Sequence, residues 1–205
     1  MIRKITPTIV PPSIPRRGAN WLARLAAYIL NKRGWRASGD MINAEKSVLA
    51  VAPHTSNWDF FLGLLIVFSL KLDISFLGKH TIFAPPLGWI MRKLGGIPVQ
   101  RKNPRGLVGQ VAGKIKQSRS VLLAIAPEGT RSPVFPWKTG FLRIAEAVSM
   151  PVQLIGFDYR HKHIIFGPVI SPGDKPEEQM RTIYSFYATV SGKYPDKCIT
   201  LEPDE

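Results

Sequence analysis

The sequence predicts an α/β fold: a three-layer α/β/α sandwich with a mixed central sheet, preceded by an N-terminal amphipathic helical segment. Three observations carry this. Two runs, Ser47 to Ala52 and Val121 to Ala126, are almost wholly apolar, too short for helices, and each is closed by a proline (Pro53, Pro127). Strands apolar throughout belong to a sheet covered on both faces. They alternate with longer helix-like segments, the pattern of a layered α/β domain. With 205 residues, 45% of them hydrophobic, the chain has material for one sizeable core.

Taken in order, the first 15 residues contain Pro7, Pro11, Pro12 and Pro15 and read as an extended arm. They have no apolar stretch of the kind a secretory signal needs. Asn20 is placed to cap a helix running from Trp21 to about Arg33, stopped by Gly34. Trp21, Leu22, Leu25, Tyr28 and Ile29 fall on one side of it. Arg16, Arg17, Arg24, Lys32, Arg33 and Arg36 lie close by, and no acid occurs before Asp40. Such a helix either lies in a membrane interface or packs on the domain with its basic residues solvated. Ser47 to Ala52 is the first buried strand, followed by a helix from about Asn57 to Leu70. Its apolar stretch from Trp58 is well short of the ~20 residues that cross a bilayer. A strand at Ile74 to Leu77, a helix at Leu87 to Leu94, a short strand at Ile97 to Val99 and a helix at Pro104 to Gln117 follow. After the strand at Val121 come a helix at Gly140 to Ser149, strands at Val152 to Tyr159 and Ile164 to Phe166, and a last helix at Thr182 to Lys193. The division expected is 1–36 for the arm and amphipathic helix and 37–205 for the α/β domain.

The formal charge is +14, and it is unevenly placed. Residues 1–127 hold 19 basic and four acidic residues; residues 128–205 hold nine and ten. No acid occurs between Asp73 and Glu128, where nine basic residues stand. The excess calls for an anionic partner: nucleic acid, an anionic membrane surface or a phosphorylated substrate. No nucleic-acid recognition motif accompanies it, which leaves a basic nucleic-acid-binding module resting on charge alone. The single cysteine, Cys198, excludes a disulfide framework and a Cys-rich metal site. His161 and His163 alternate, but two ligands do not make a metal site, and a turn or hairpin edge accounts for them. No Gly-x-Ser-x-Gly elbow supports a serine hydrolase.

Three polar constellations stand at the ends of buried strands, where α/β sheets build sites. In His54-Thr-Ser-Asn-Trp-Asp59, a turn before the helix can fold the imidazole back onto the carboxylate. One ring nitrogen is then held and the other is left as a general base. Read more plainly, the same residues are a turn histidine and an acid at a helix N-terminus. In Glu128-Gly-Thr-Arg-Ser132, Gly129 permits positive φ, Thr130 adds a hydroxyl, and Arg131 offers a planar fork for phosphate oxygens. Glu128 can orient Arg131 or hold a substrate hydroxyl, or the pair is a surface turn. Lys79 and Arg101 each follow a strand and can face the same edge, or can simply be solvated.

Together these blocks resemble the lysophosphatidic acid acyltransferase family (1-acyl-sn-glycerol-3-phosphate O-acyltransferases) over about residues 48–160. His54 to Asp59 matches the family's His-x4-Asp motif, Gly96 to Arg101 its glycerophosphate-binding block, and Glu128 to Ser132 its most specific motif. Met150-Pro-Val152 resembles the fourth block. The resemblance implies that His54 takes the proton of a glycerol hydroxyl with Asp59 behind it. Lys79, Arg101, Glu128, Gly129, Thr130 and Arg131 would form the phosphate pocket. It implies no metal and no cofactor, with acyl-CoA or acyl-carrier protein as co-substrate and a lysophospholipid as acceptor. The protein would sit on the cytoplasmic face of a membrane, peripheral or monotopic, without a transmembrane helix. Pro53 and Gln100 depart from the family pattern, and a lyso-ornithine lipid stands as an alternative acceptor.

Overall fold

The computed structural model describes residues 1–99, 104–171, 173 and 175–199. Its centre is an eight-stranded mixed sheet built from β1 (Ile2–Arg3), β2 (Arg36–Gly39), β3 (Lys46–Ala52), β4 (Ile74–Lys79), β5 (Gly96–Val99), β6 (Val121–Ile125), β7 (Val152–Asp158) and β8 (His163–Ile170). The strand order is β1-β2-β8-β7-β3-β6-β4-β5. The run from β7 to β5 is parallel throughout, while β8 is antiparallel to β7 and β1 antiparallel to β2. The helices are α1 (Asn20–Lys32), α2 (Trp58–Leu70), α3 (Gly88–Lys93), α4 (Pro104–Gln117), α5 (Gly140–Ala147) and α6 (Pro176–Ala188).

Alternation along the central strands divides the interior into two cores. Val48, Ala50 and Ala52 of β3 and Val152 and Leu154 of β7 meet α4, α5 and α6 through Ile115, Phe141, Ile144, Ile183 and Tyr187. Leu49, Leu122, Ile155 and Phe157 point the other way, onto Leu30 of α1 and Leu62, Ile66 and Leu70 of α2. From β3 through α2 to β4 the chain travels one way across the sheet; after β5 it returns. Right-handed crossovers then put α2 on one face and α4 and α5 on the other. This return inserts β6 between β3 and β4, with Ala50 level with Ile125. The carboxyl ends of β7, β3, β6 and β4 therefore lie side by side.

Several elements differ from the sequence expectation. The proline-rich start is no free arm: β1 pairs with β2, and Ile5, Val10 and Ile14 are buried in the second core. Asn20 does not cap α1. It is the first helical residue, its N-cap position is Ala19, and its side chain accepts a hydrogen bond from Lys71 Nζ at 2.7 Å. The strand β2 was not expected, since Arg36-Ala-Ser-Gly lacks an apolar run. The last helix starts at Pro176 and ends at Ala188 rather than spanning Thr182 to Lys193. Pro176 sits in its first turn with Glu177 and Glu178, which favour a helix N-terminus. Among the described residues no helix is long and apolar enough to cross a membrane.

Gly95 fixes the entry into β5. Its φ is +92°, and a Cβ there would stand 1.9 Å from the Ile74 carbonyl oxygen. Gly95→Ala is expected to destabilise the protein by about 2 kcal/mol or more, since both backbone strain and overlap oppose it. Chemical denaturation read by far-UV circular dichroism measures this.

Candidate active site

β3 ends at Ala52, and His54 follows in the turn before α2. The five-residue offset between His54 and Asp59 is bridged by a reciprocal cap at the start of α2. The Ser56 N–H donates to Asp59 Oδ2 at 2.7 Å, and the Trp58 N–H donates to Ser56 Oγ at 3.1 Å. This is the logic of a capping box, in which a first-turn carboxylate reaches back to satisfy an orphan donor. It faces Asp59 toward the turn. His54 Nδ1 lies 3.6 Å from Asp59 Oδ2, within ion-pair reach but longer than a hydrogen bond. The Asp59 side chain is 0% exposed and that of His54 23% exposed.

Glu128, in the turn after β6, is buried and holds the other side of this loop. The His54 N–H donates to both of its carboxylate oxygens, at 3.0 and 2.8 Å. This contact turns the Glu128 carboxylate inward, toward the backbone of the histidine. Gly129 adopts φ +66°, and its N–H donates to the Ala126 carbonyl, making the tight turn expected of it. Thr130 and Arg131 are exposed, and Thr130 Oγ1 accepts from the Ser132 N–H at 3.2 Å. Arg131 is close enough to His54 to act on its protonation. Lys79 is the exposed last residue of β4, at the same sheet edge. Arg101 lies outside the described residues.

One member of the cluster was missed by sequence reasoning. Tyr159, just beyond β7, donates its hydroxyl to Asp59 Oδ1 at 2.6 Å. No local motif marks it, because it is 100 residues from its partner; only the pairing of β3 with β7 brings the two together. The capping relation between Ser56 and Asp59 did have a signal, Ser-x-x-Asp before an apolar run.

The electrostatics are those of buried groups sharing one small space. Burial lowers the His54 pKa below that of a free imidazole, Asp59 opposes this, and the Arg131 cation adds to it. The ring is therefore neutral, and able to accept a proton, at neutral pH. Burial pushes the Glu128 carboxyl up to about 7, with the Asp59 charge adding to the rise and the His54 N–H partly offsetting it. Burial and Asp59 raise the Tyr159 hydroxyl, which stays protonated and donating. Among the described residues no three His, Cys, Asp or Glu side chains are grouped to hold a metal ion. His161 instead bonds Asp158 at 2.7 Å in the turn between β7 and β8.

The Acyltransferase family matches residues 34–157, a stretch that contains His54, Asp59, Glu128 and Arg131. The chloroplastic 1-acyl-sn-glycerol-3-phosphate acyltransferase BAT2 of Brassica napus is 34% identical over 106 residues, 48% of this chain and 30% of that protein. The chloroplastic 1-acyl-sn-glycerol-3-phosphate acyltransferase LPAT1 of Arabidopsis thaliana is 31% identical over 115 residues, 51% of this chain and 32% of that protein. The chain thus spans about a third of the length of these curated relatives. The crystal structure of the 1-acyl-sn-glycerophosphate acyltransferase PlsC from Thermotoga maritima superposes with a TM-score of 0.57. It covers 81% of this chain and 75% of its own at 18% identity, and so shares the fold.

A raised carboxyl has a defined effect on stability. Glu128 stands near 4.5 unfolded and about 7 folded. Its stabilising contribution is fully present below pH 4.5 and is lost as pH rises through about 7. The melting temperature of the wild type relative to Glu128→Gln should therefore fall steadily across that interval, as scanning calorimetry in a pH series would show.

Proposed function

As the chain belongs to the Acyltransferase family, we propose that it moves a fatty acyl group from an acyl thioester to the free hydroxyl of a lysophospholipid. The preferred acceptor is 1-acyl-glycerol-3-phosphate, giving phosphatidic acid. The observation that carries this reading is the His54 ring set 3.6 Å from a fully buried Asp59 at the carboxyl edge of the parallel strands. Nδ1 faces the carboxylate, so Nε2 is the nitrogen left for substrate. It takes the proton of the acceptor hydroxyl as the oxygen attacks the thioester carbonyl, and Asp59 stabilises the imidazolium that forms. Collapse of the tetrahedral intermediate breaks the carbon–sulfur bond, and the proton passes from His54 to the departing thiolate. The donor is acyl-CoA or acyl-carrier protein. Arg131 and Lys79 supply cations at the same edge for the acceptor phosphate, with Arg101 assigned to the same task by its motif. Before the acceptor binds, Arg131 also favours the neutral, basic form of His54.

Docking on an anionic bilayer is part of the same proposal, and α1 is the element that supports it. Its small residues, Ala23, Ala26 and Ala27, are buried with Leu30. Trp21, Leu25 and Tyr28 are turned outward, Trp21 68% and Tyr28 61% exposed. Arg24, Lys32 and Arg33 are exposed around them, with Lys32 Nζ 5.5 Å from the Tyr28 ring. Large apolar residues ringed by cations suit the boundary between headgroups and acyl chains. Trp58 and Phe61 are also exposed, in the first turn of α2, the helix that follows His54. These features support a reading of the protein as a peripheral or monotopic enzyme on a membrane surface.

Incubated with lysophosphatidate and acyl-CoA, the protein should release free thiol, and His54→Ala should lose at least a hundredfold in kcat, on the order expected for a general base. Wild-type turnover in that variant would end the reading. Arg131→Ala should raise KM for lysophosphatidate by roughly tenfold and move the acid limb of the rate profile upward, because a cation that lowers the His54 pKa is gone. For docking, the double change Trp21→Ser with Tyr28→Ser should reduce co-sedimentation with anionic vesicles while leaving turnover of a soluble short-chain acceptor intact.

A further inference from the structure

We propose that Tyr159 is a positioning residue for the His54–Asp59 pair, fixing through one hydrogen bond which way the buried carboxylate faces. The proposal rests on the acyl-transfer reading for its consequence in turnover, but the coupling itself is measurable without substrate.

Asp59 has two oxygens to satisfy, and its side chain is shut off from water. Oδ2 takes the Ser56 N–H at 2.7 Å and faces the imidazole. Oδ1 takes the Tyr159 hydroxyl at 2.6 Å, the short distance of a charge-assisted bond. The two donors come from opposite sides of the carboxylate, one from the turn before α2 and one from the end of β7. Together they leave it no freedom to rotate away from His54. The tyrosine is itself held. Its N–H donates to the Ser191 carbonyl at 2.8 Å, and its ring meets Trp35 edge-on at 5.2 Å between centroids. The segment beyond α6 that supplies Ser191 also secures the catalytic turn, since the Tyr194 N–H donates to Thr55 Oγ1 at 3.2 Å. A Cβ on Gly192 would stand 3.0 Å from Thr55 Cγ2 and 3.1 Å from Pro53 Cβ. Tyr159 thus links the dyad to a part of the chain beyond the family match, which ends at residue 157.

Removing the hydroxyl leaves a buried carboxylate oxygen without its donor. The charge on Asp59 is then less quenched and the imidazolium becomes its principal partner. The charged groups that act on His54 are Asp59 and Arg131, with Glu128 on its backbone N–H; Tyr159→Phe changes only the first. The expected result is a rise in the His54 pKa and a fall in kcat of about tenfold, the usual effect of losing a hydrogen bond to a charged group. KM for the acceptor should stay within about twofold, because the bond lies behind the dyad and touches no substrate.

The test is an NMR titration of the intact protein, with the His54 ring resonance assigned by its loss in His54→Ala, beside steady-state kinetics. Tyr159→Phe should move the His54 midpoint upward and lower kcat. Trp35→Phe, which alters the packing of the tyrosine ring but keeps its hydroxyl, should move neither. An unmoved His54 midpoint in Tyr159→Phe, full turnover in that variant, or an equal shift in Trp35→Phe overturns the proposal. Should His54→Ala keep its turnover, the acyl-transfer reading fails, and the titration still decides whether Tyr159 governs the pair.

Discussion

Asp59 is a carboxylate removed wholly from solvent, and the neighbouring elements are arranged as its donors. A bare buried charge of this kind costs several kcal/mol, so each oxygen needs a partner. One comes from the Ser56 N–H, which the first turn of α2 would otherwise leave orphaned; the other is the Tyr159 hydroxyl. The third neighbour is His54 itself. The same side chain is thus a helix cap and the support of a base. The turn geometry that satisfies the cap is also the one that brings the imidazole within 3.6 Å. Local helix chemistry and site chemistry share one residue, and neither can be altered alone.

A second buried carboxylate, Glu128, stands across the same turn. Its contact is with the main chain of His54, which makes it a clamp on the turn that carries the ring. Burial first, and then the Asp59 charge, raise the Glu128 carboxyl to about 7. Only one of the two has a cation-forming partner. Asp59 faces the imidazole, while Glu128 can hold the backbone N–H in either protonation state, since a protonated carboxyl still accepts. Arg131 adds a positive charge from the open side, where it lowers the His54 pKa and faces the solvent from which substrate arrives.

Much of this was legible in the sequence where the signal is local. The uniformly apolar runs of β3 and β6 announced a sheet buried on both faces, and the prolines after them marked the edge on which His54 and Glu128 stand. The strand β2 was silent because its pairing with β8 makes it a strand, not its composition. The start of α6 was hidden because Glu177 and Glu178 look like loop residues until the helix dipole is considered. In the site, the His54–Asp59 relation was readable from spacing, whereas the direction of Glu128 was not. A carboxylate three residues before an arginine looks like its partner, yet the fold sets the His54 backbone N–H against it. Tyr159 was invisible for the same reason: its partnership is made by β7 lying beside β3.

The +14 charge that first called for an anionic partner divides further in three dimensions. Arg16 gives its guanidinium to the carbonyls of Pro7 and Val10, Arg17 pairs with Asp73 at 3.2 Å, and Arg36 bonds the carbonyls of Asn31 and Trp35. Arg17 ties the N-terminal segment to the stretch after α2, Arg16 and Arg36 brace the turns around them, and all three are fixed in direction by that work. Arg24, Lys32 and Arg33 remain exposed on α1, beside large apolar side chains turned outward. A helix meant only to cover a core in water would bury its tryptophan and expose its alanines. α1 does the reverse: its alanines are buried while Trp21, Leu25 and Tyr28 are turned outward. Charge alone was compatible with several partners. Charge set around an outward apolar face, on the helix packed against α2, is what supports the lipid surface proposed above.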